Sequence, residues 1–338
     1  TDQAEYAASQ TVTFALAGSL VLGLGSYPFV EPFLAFLGAS SEVLPGATAY
    51  MEVIALGLPF MFGFFVFISL MRGSGDTITP MIVMFGTVVI NVVLDPFLIF
   101  GFEANPLFGM LGLASLQTEL FAATGFTGMG IEGAAIATVF SRSLAMVVGI
   151  GVMVSGRRGI RINPSDMWPD FEYLPKILRI GVPASIEGTG RALSVNALLI
   201  VVGLFSTAVV AAFGIGTRVF SVIFLPAIAV ARGVETMSGQ NIGAGNYDRA
   251  EAANYLAAKG LFGILGVMGV VIFLLPTPIV AVFTDDPAVL AEGATFLRYT
   301  ALSFGFIGVM RAFTGGFRGA GKTLTAAAIS ILTLGGIR

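Results

Sequence analysis

Apolar runs long enough to cross a bilayer recur along almost the whole chain, over residues 11–38, 47–71, 80–101, 131–155, 178–204, 208–234, 256–283 and 293–317, with a truncated one from 323. Each complete run supplies the roughly 20 residues that a membrane-crossing helix needs. Hydrophobic residues make up 56 % of the chain and charged residues 11 %, too few charges to cover a soluble domain of this length. Hydrocarbon offers no water to backbone amides and carbonyls, so only helices and closed barrels cross it. The runs lack the alternation of barrel strands. The predicted fold class is therefore all-α, a polytopic bundle of membrane helices. Gly and Pro inside the runs are tolerated there because neighbouring helices re-satisfy the backbone.

Lys and Arg between the runs set the orientation. The connections at Arg72, at Arg157, Arg158, Arg161 and Lys176, at Arg249, and at Arg318 and Lys322 carry positive charge, whereas residues 38–46, 102–130 and 284–292 contain no Lys or Arg. Positive charge stays inside, so the first set reads as cytoplasmic. The alternation runs unbroken through all nine segments, which supports their placement. The middle of the external connection 102–130 is apolar enough to lie on the membrane surface.

The chain also repeats itself. Residues 32–77 laid on 278–323, at a constant offset of 246 and without a gap, give 12 identities in 46 positions. They include Pro32/Pro278, Ala55-Leu56/Ala301-Leu302, Phe60/Phe306 and Phe67/Phe313, and they end in Arg72-Gly-Ser-Gly-Asp-Thr77 against Arg318-Gly-Ala-Gly-Lys-Thr323. Such duplication in so apolar a chain points to a membrane transporter built from two like halves. The predicted division is a first lobe over 1–155, a polar cytoplasmic linker over 156–172 and a second lobe over 173–338. Residues 171–246 read as two apolar segments before the second copy and have no counterpart before the first. The register thus predicts a piece of a longer protein, without its opening helix pair and with its second half stopping early.

Two matches to enzyme motifs fail on context. Gly316-Phe-Arg-Gly-Ala-Gly-Lys-Thr323 fits the P-loop pattern, but an apolar helix precedes it where a strand is needed, and the first copy has Asp76 in place of the Lys. Gly73-Ser-Gly-Asp76 spells an intramembrane aspartyl protease motif, which needs a second Asp beside it to share a proton. Both read as cytoplasmic turns. With no His and no Cys, imidazole relays, thiol chemistry and zinc sites are excluded, and ion handling falls to carboxylates. No enzyme is expected.

An ionisable group within a span is costly, roughly 2.5 to 3.5 kcal/mol at the bilayer centre, and so marks function by default. Asn91 and Asp95 in Asn91-Val-Val-Leu-Asp95-Pro96 are one helical turn apart on one face, and Pro96 has no amide to donate to its own helix. A carboxylate, an amide oxygen and a spare carbonyl suit a hard cation such as sodium; equally, a carboxylate withdrawn from water can take up a proton. Thr138, after the small residues Gly133-Ala-Ala-Ile-Ala137 of the next span, could complete the cluster. Glu187 and Arg191 stand at i and i+4 in the favourable order for an ion pair, either neutralising each other or facing a substrate. Arg142, Arg218, Arg232, Glu235 and Arg311 lie nearer helix ends, where snorkelling is expected.

These motifs, together with Leu56-Gly-Leu-Pro-Phe60, Arg72-Gly-Ser-Gly-Asp-Thr-Ile-Thr-Pro80, Gly181-Val-Pro-Ala-Ser185 and Gly239-Gln-Asn-Ile-Gly-Ala-Gly245, resemble the multidrug and toxic compound extrusion (MATE) transporters along the whole chain, the archaeal type above all. The resemblance implies two pseudo-symmetric six-helix lobes, of which this chain holds the third to tenth helices and the start of the eleventh. It implies export of drug-like, amphipathic and often cationic compounds in exchange for sodium or protons, by a monomer in the cell membrane with no cofactor beyond the coupling ion and no nucleic-acid partner. The archaeal site for that ion falls on Asn91, Asp95 and Thr138, with Tyr50 beside it; its remaining Asp belongs to the absent first helix. Tyr50, Glu187 and Arg191 are the expected cavity residues. Another bacterial type uses a Glu where this chain has Arg191 and an Asp where residues 297–316 have none, so no second-lobe coupling is expected. The alternative within the same superfamily is a flippase of lipid-linked oligosaccharides.

Overall fold

The structure, a computed structural model, describes residues 2–156 and 159–333, with the backbone but not the side chain of Arg191. Arg157 and Arg158, which the sequence reading used, lie outside that set. The described residues are nearly all helical and divide into two compact units, Thr1–Leu174 and Pro175–Arg338. The first holds α1 (Asp2–Ser26), α2 (Val30–Phe36), α3 (Leu44–Gly73), α4 (Ile78–Phe100), the short α5 (Pro106–Met110) and α6 (Ala114–Thr124), and α7 (Gly130–Ser155). The second holds α8 (Leu174–Val202), α9 (Thr207–Gly243), α10 (Tyr247–Leu274), α11 (Pro276–Ala281), α12 (Pro287–Ala301), α13 (Phe304–Gly319) and α14 (Thr323–Ile331).

Among the described residues, seven helical stretches have the length and hydropathy to cross a membrane. Their outer faces carry exposed Phe36, Val21, Phe85, Ile200 and Leu256, an apolar surface that water would not tolerate and lipid requires. In the first unit α7 packs against both α3 and α4 around Phe64, Phe67, Met71 and Met153. In the second, α9, α10 and α13 close around Ile223, Leu261, Leu265, Leu297 and Phe304.

The repeat is visible in three dimensions. With the same offset, α1 matches α10, α2 matches α11, and α3 matches α12 with α13. One contact recurs atom for atom: Gly23 of α1 abuts the carbonyl oxygen of Ala55 on α3, and Gly269 of α10 abuts that of Ala301 on α12. Physics explains why this oxygen is approachable. In the first copy Pro59 has no N–H to return to Ala55, and in the second α12 ends at Ala301.

The second copy departs from the expected continuous span over 293–317, which is two helices separated by Leu302 and Ser303. Polar side chains accommodate the break. The Thr300 hydroxyl donates to the Phe296 carbonyl at 2.8 Å and that of Ser303 donates to the Thr300 carbonyl at 2.7 Å. The first copy has Ile54 and Gly57 at those positions and stays helical.

The polar stretch before the second unit is laced onto α1. Gln10 Nε2 donates to the carbonyls of Asp166 and Trp168 at 2.7 and 2.8 Å, the Asp170 amide returns a bond to Gln10 Oε1 at 2.9 Å, and Tyr6 donates to Asp170 Oδ2 at 2.6 Å.

Candidate functional site

Both rejected motifs have structural explanations. Asp76 accepts from the amides of Ile78 and Thr79 at 3.0 and 2.9 Å and from the Thr79 hydroxyl, which satisfies the first donors of α4 as a helix cap does. The P-loop-like segment begins inside α13, whose helix runs through Gly316-Phe-Arg-Gly319, so those amides bond within the helix and none surrounds a phosphate.

The carboxylate of Asp95 lies half-buried within α4, and Asn91 Nδ2 donates to its Oδ1 at 3.1 Å. The i,i+4 reading of the sequence thus corresponds to a direct contact. Pro96 leaves the Val92 carbonyl without its helical donor. Just outside this turn the backbones of α4 and α7 meet: Gly133 has no room for a side chain against the Leu98 carbonyl, and the Met129 amide donates to that same oxygen at 2.7 Å. From this anchor the depth of each residue follows at 1.5 Å per residue. Asp95 lies about 4.5 Å inward along α4 and Asn91 about 10.5 Å, while Thr138 lies about 7.5 Å inward along α7. Thr138 therefore stands level with the gap between the two, half-buried, with no hydrogen bond to either in the structure.

Tyr50 sits farther out. Gly57 meets Val139, Gly63 meets Met146 and Gly149 meets Phe67, a register between α3 and α7 that places Tyr50 level with Glu132. It is about 9 Å outward of Thr138 along the helix axis, so it stands above the Asn91/Asp95 turn.

Arg142, expected to snorkel, turns inward. One turn from Thr138, its guanidinium lies 4.8 Å from the centre of the Phe64 ring, and its Nε is buried without a hydrogen bond. An aromatic face attracts a cation, which accounts for the inward turn. Hydropathy reports depth in a span but not the face, which is why this residue escaped the sequence reading.

In the second unit Glu187 is 3 % exposed and accepts from Arg318 Nη2, a residue 131 positions away. Arg191, the neighbour expected to pair with Glu187, has its side chain outside the described residues. Arg311 also contradicts the snorkelling expectation: it is 7 % exposed, with its guanidinium 5.5 Å from the Phe224 ring centre. Together with Arg232 and Glu235 these residues line a polar cavity of about 350 Å³ between α8, α9 and α13. The signal for it was present in the repeat, where Arg311 answers to Phe65. Among the described residues no group of three or more acidic side chains suited to a metal ion occurs.

The MatE family model matches residues 1–97 and 183–338. YpnP of Bacillus subtilis, described as a probable multidrug resistance protein, is 28 % identical over 320 residues, which cover 94 % of this chain and 66 % of that relative. A FAD transporter of Shewanella oneidensis is 27 % identical over 323 residues, with coverage of 96 % and 66 %. The chain spans about two thirds of the length of these relatives. A solved outward-facing MATE transporter of the MOP superfamily superposes with a TM-score of 0.81 at 21 % identity, over 97 % of this chain and 68 % of the other, a likeness of fold. Matched by the family model over most of its length, and folded as the family folds, the chain belongs to the MatE family of multi-pass membrane transporters.

Proposed function

We propose that the protein is a secondary active exporter of amphipathic, drug-like organic compounds, driven by inward movement of sodium or protons, and that Asn91, Asp95 and Thr138 hold the coupling ion. The observation that carries the site is the half-buried Asp95 carboxylate in a membrane helix, contacted by Asn91 at 3.1 Å, with Thr138 of α7 level with the gap between the two. The name of the Bacillus relative supports drugs as cargo. Coupling needs only that the ion bind one conformation more tightly than the other, because a ligand shifts an equilibrium by its differential affinity. No covalent chemistry is required. Ion entry neutralises Asp95, removing the cost of a bare charge in the span, and Tyr50 stands on the external side of that turn.

Dye efflux from vesicles carrying the full-length protein tests this reading. Imposing an inward sodium or proton gradient should accelerate efflux of a fluorescent amphipathic dye and identify the coupling ion. Efflux unaffected by both gradients would refute secondary active transport.

A further inference from the structure

The sequence reading gave the second unit no coupling site, only Glu187 and Arg191 as expected cavity residues. Three cavities nevertheless follow one another along the seam between α8 and α9. The inner one is the polar cavity holding Arg311, Arg318 and Glu187. It shares Ile228 with a second of about 400 Å³, lined by Leu198, Phe213, Phe220 and Phe224. That in turn shares Leu198 and Phe213 with a third, also about 400 Å³, which reaches Val202 and Phe296. The two outer cavities are walled mainly by aliphatic and aromatic side chains, with Thr217, Ser221, Glu292, Thr295 and Thr300 among them, and the inner one mainly by charges.

Counting charges in the inner cavity decides its sign. Among the described residues, three guanidiniums, Arg232, Arg311 and Arg318, face two carboxylates, Glu187 and Glu235. The Glu187–Arg318 ion pair cancels internally, which leaves one positive charge in excess. The decisive residue is Arg311, buried at membrane depth where a guanidinium is expensive. The repeat does not call for it, because the first copy has Phe65 at the same position, and there the side chain is exposed.

We infer that the second unit binds an amphipathic anion, its carboxylate or phosphate head between Arg311 and Arg232 and its apolar body along Phe220, Phe224 and Leu198. A planar guanidinium fork matches either head in bidentate fashion, and Phe224 beneath Arg311 holds the fork in place. The site extends the cargo beyond cations, whose heads would be repelled by the excess charge. It rests on the transport reading only in making this ligand a cargo.

Binding is measurable without any gradient. The full-length protein in zwitterionic phosphatidylcholine nanodiscs would be titrated with radiolabelled decyl phosphate, using decanoate, decyltrimethylammonium and lysophosphatidylglycerol as competitors. Decyl phosphate should bind saturably, and decanoate should displace it while decyltrimethylammonium does not. Displacement by lysophosphatidylglycerol would extend the site to lipid head groups; its failure would restrict the site to soluble anions, and either accords with the proposal. Arg311→Phe, which installs the residue of the first copy, should weaken decyl phosphate binding by about tenfold or more, the loss of one charge-assisted contact. Glu235→Gln should strengthen it by about threefold, since a competing negative charge is removed. Glu235 is half-buried, so this variant decides the matter even if Arg311→Phe fails to fold. Equal displacement by decyltrimethylammonium, or parental affinity in Glu235→Gln, would overturn the inference. Loss of gradient-driven efflux with anion binding intact would count against the transport reading alone.

Discussion

Gly23 and Gly269 make the repeat quantitative. A methyl group built on Gly269 would lie 2.5 Å from the Ala301 carbonyl oxygen, about 0.9 Å inside the 3.4 Å at which ordinary van der Waals contact begins; at Gly23 the approach to Ala55 is closer still. Both obstacles are backbone, so α10 must move away from α12, or α1 from α3. Overpacking of this kind costs about 1–3 kcal/mol, and the better helix propensity of Ala returns about 0.5–1 kcal/mol. A backbone obstacle this close puts the cost at the upper end of that range, so Gly269→Ala and Gly23→Ala should each lose about 1–2.5 kcal/mol, which lowers the melting temperature by about 2–6 °C. Gly266 on α10 and Gly18 on α1 have nothing within 4 Å of the same methyl. Their Ala variants should be neutral or stabilised. Thermal unfolding of purified protein, followed by circular dichroism, reads all four. If Gly269→Ala melts with or above Gly266→Ala, the close approach of α10 to Ala301 does not hold the second unit together.

Two further variants probe contacts distant in sequence. Gln10→Leu removes three hydrogen bonds to the 166–170 segment, each worth about 0.5–1.5 kcal/mol; limited proteolysis within 163–172 should speed up several-fold, and an unchanged rate would mean that α1 does not hold this segment. Arg318→Met leaves the buried Glu187 without that counter-charge and should cost about 3–5 kcal/mol, while the double variant with Glu187→Gln recovers most of it. A double variant no more stable than Arg318→Met would show that the loss comes from packing.

Much of the fold was legible because membrane helices are written in long apolar runs and because the two copies share a gapless register. The contact of Asn91 with Asp95 was legible for a similarly local reason, a spacing of one helical turn. What escaped depends on faces and on distant partners. The run 293–317 is apolar on average, so hydropathy passes over the break that Thr300 and Ser303 accommodate. Arg142 and Arg311 were placed at helix ends by depth alone, whereas Phe64 and Phe224 on neighbouring helices draw them inward. Arg318 reads as one more inside charge in a turn, and its pairing with Glu187 exists only once α8 and α13 are side by side. The polar composition of 156–172 suggested a plain linker, but composition says nothing of Gln10, whose amide takes up carbonyls more than 150 residues away.

The central claim is that Asp95 carries the coupling ion. Its most direct test is Asp95→Asn in full-length protein, reconstituted in vesicles under the gradient that drives the parent. The account predicts loss of the gradient-dependent part of dye efflux by about tenfold or more, within the range of coupling energies between linked sites, with dye binding in the absence of a gradient unchanged. Gradient-driven efflux at the parental rate from Asp95→Asn would contradict it.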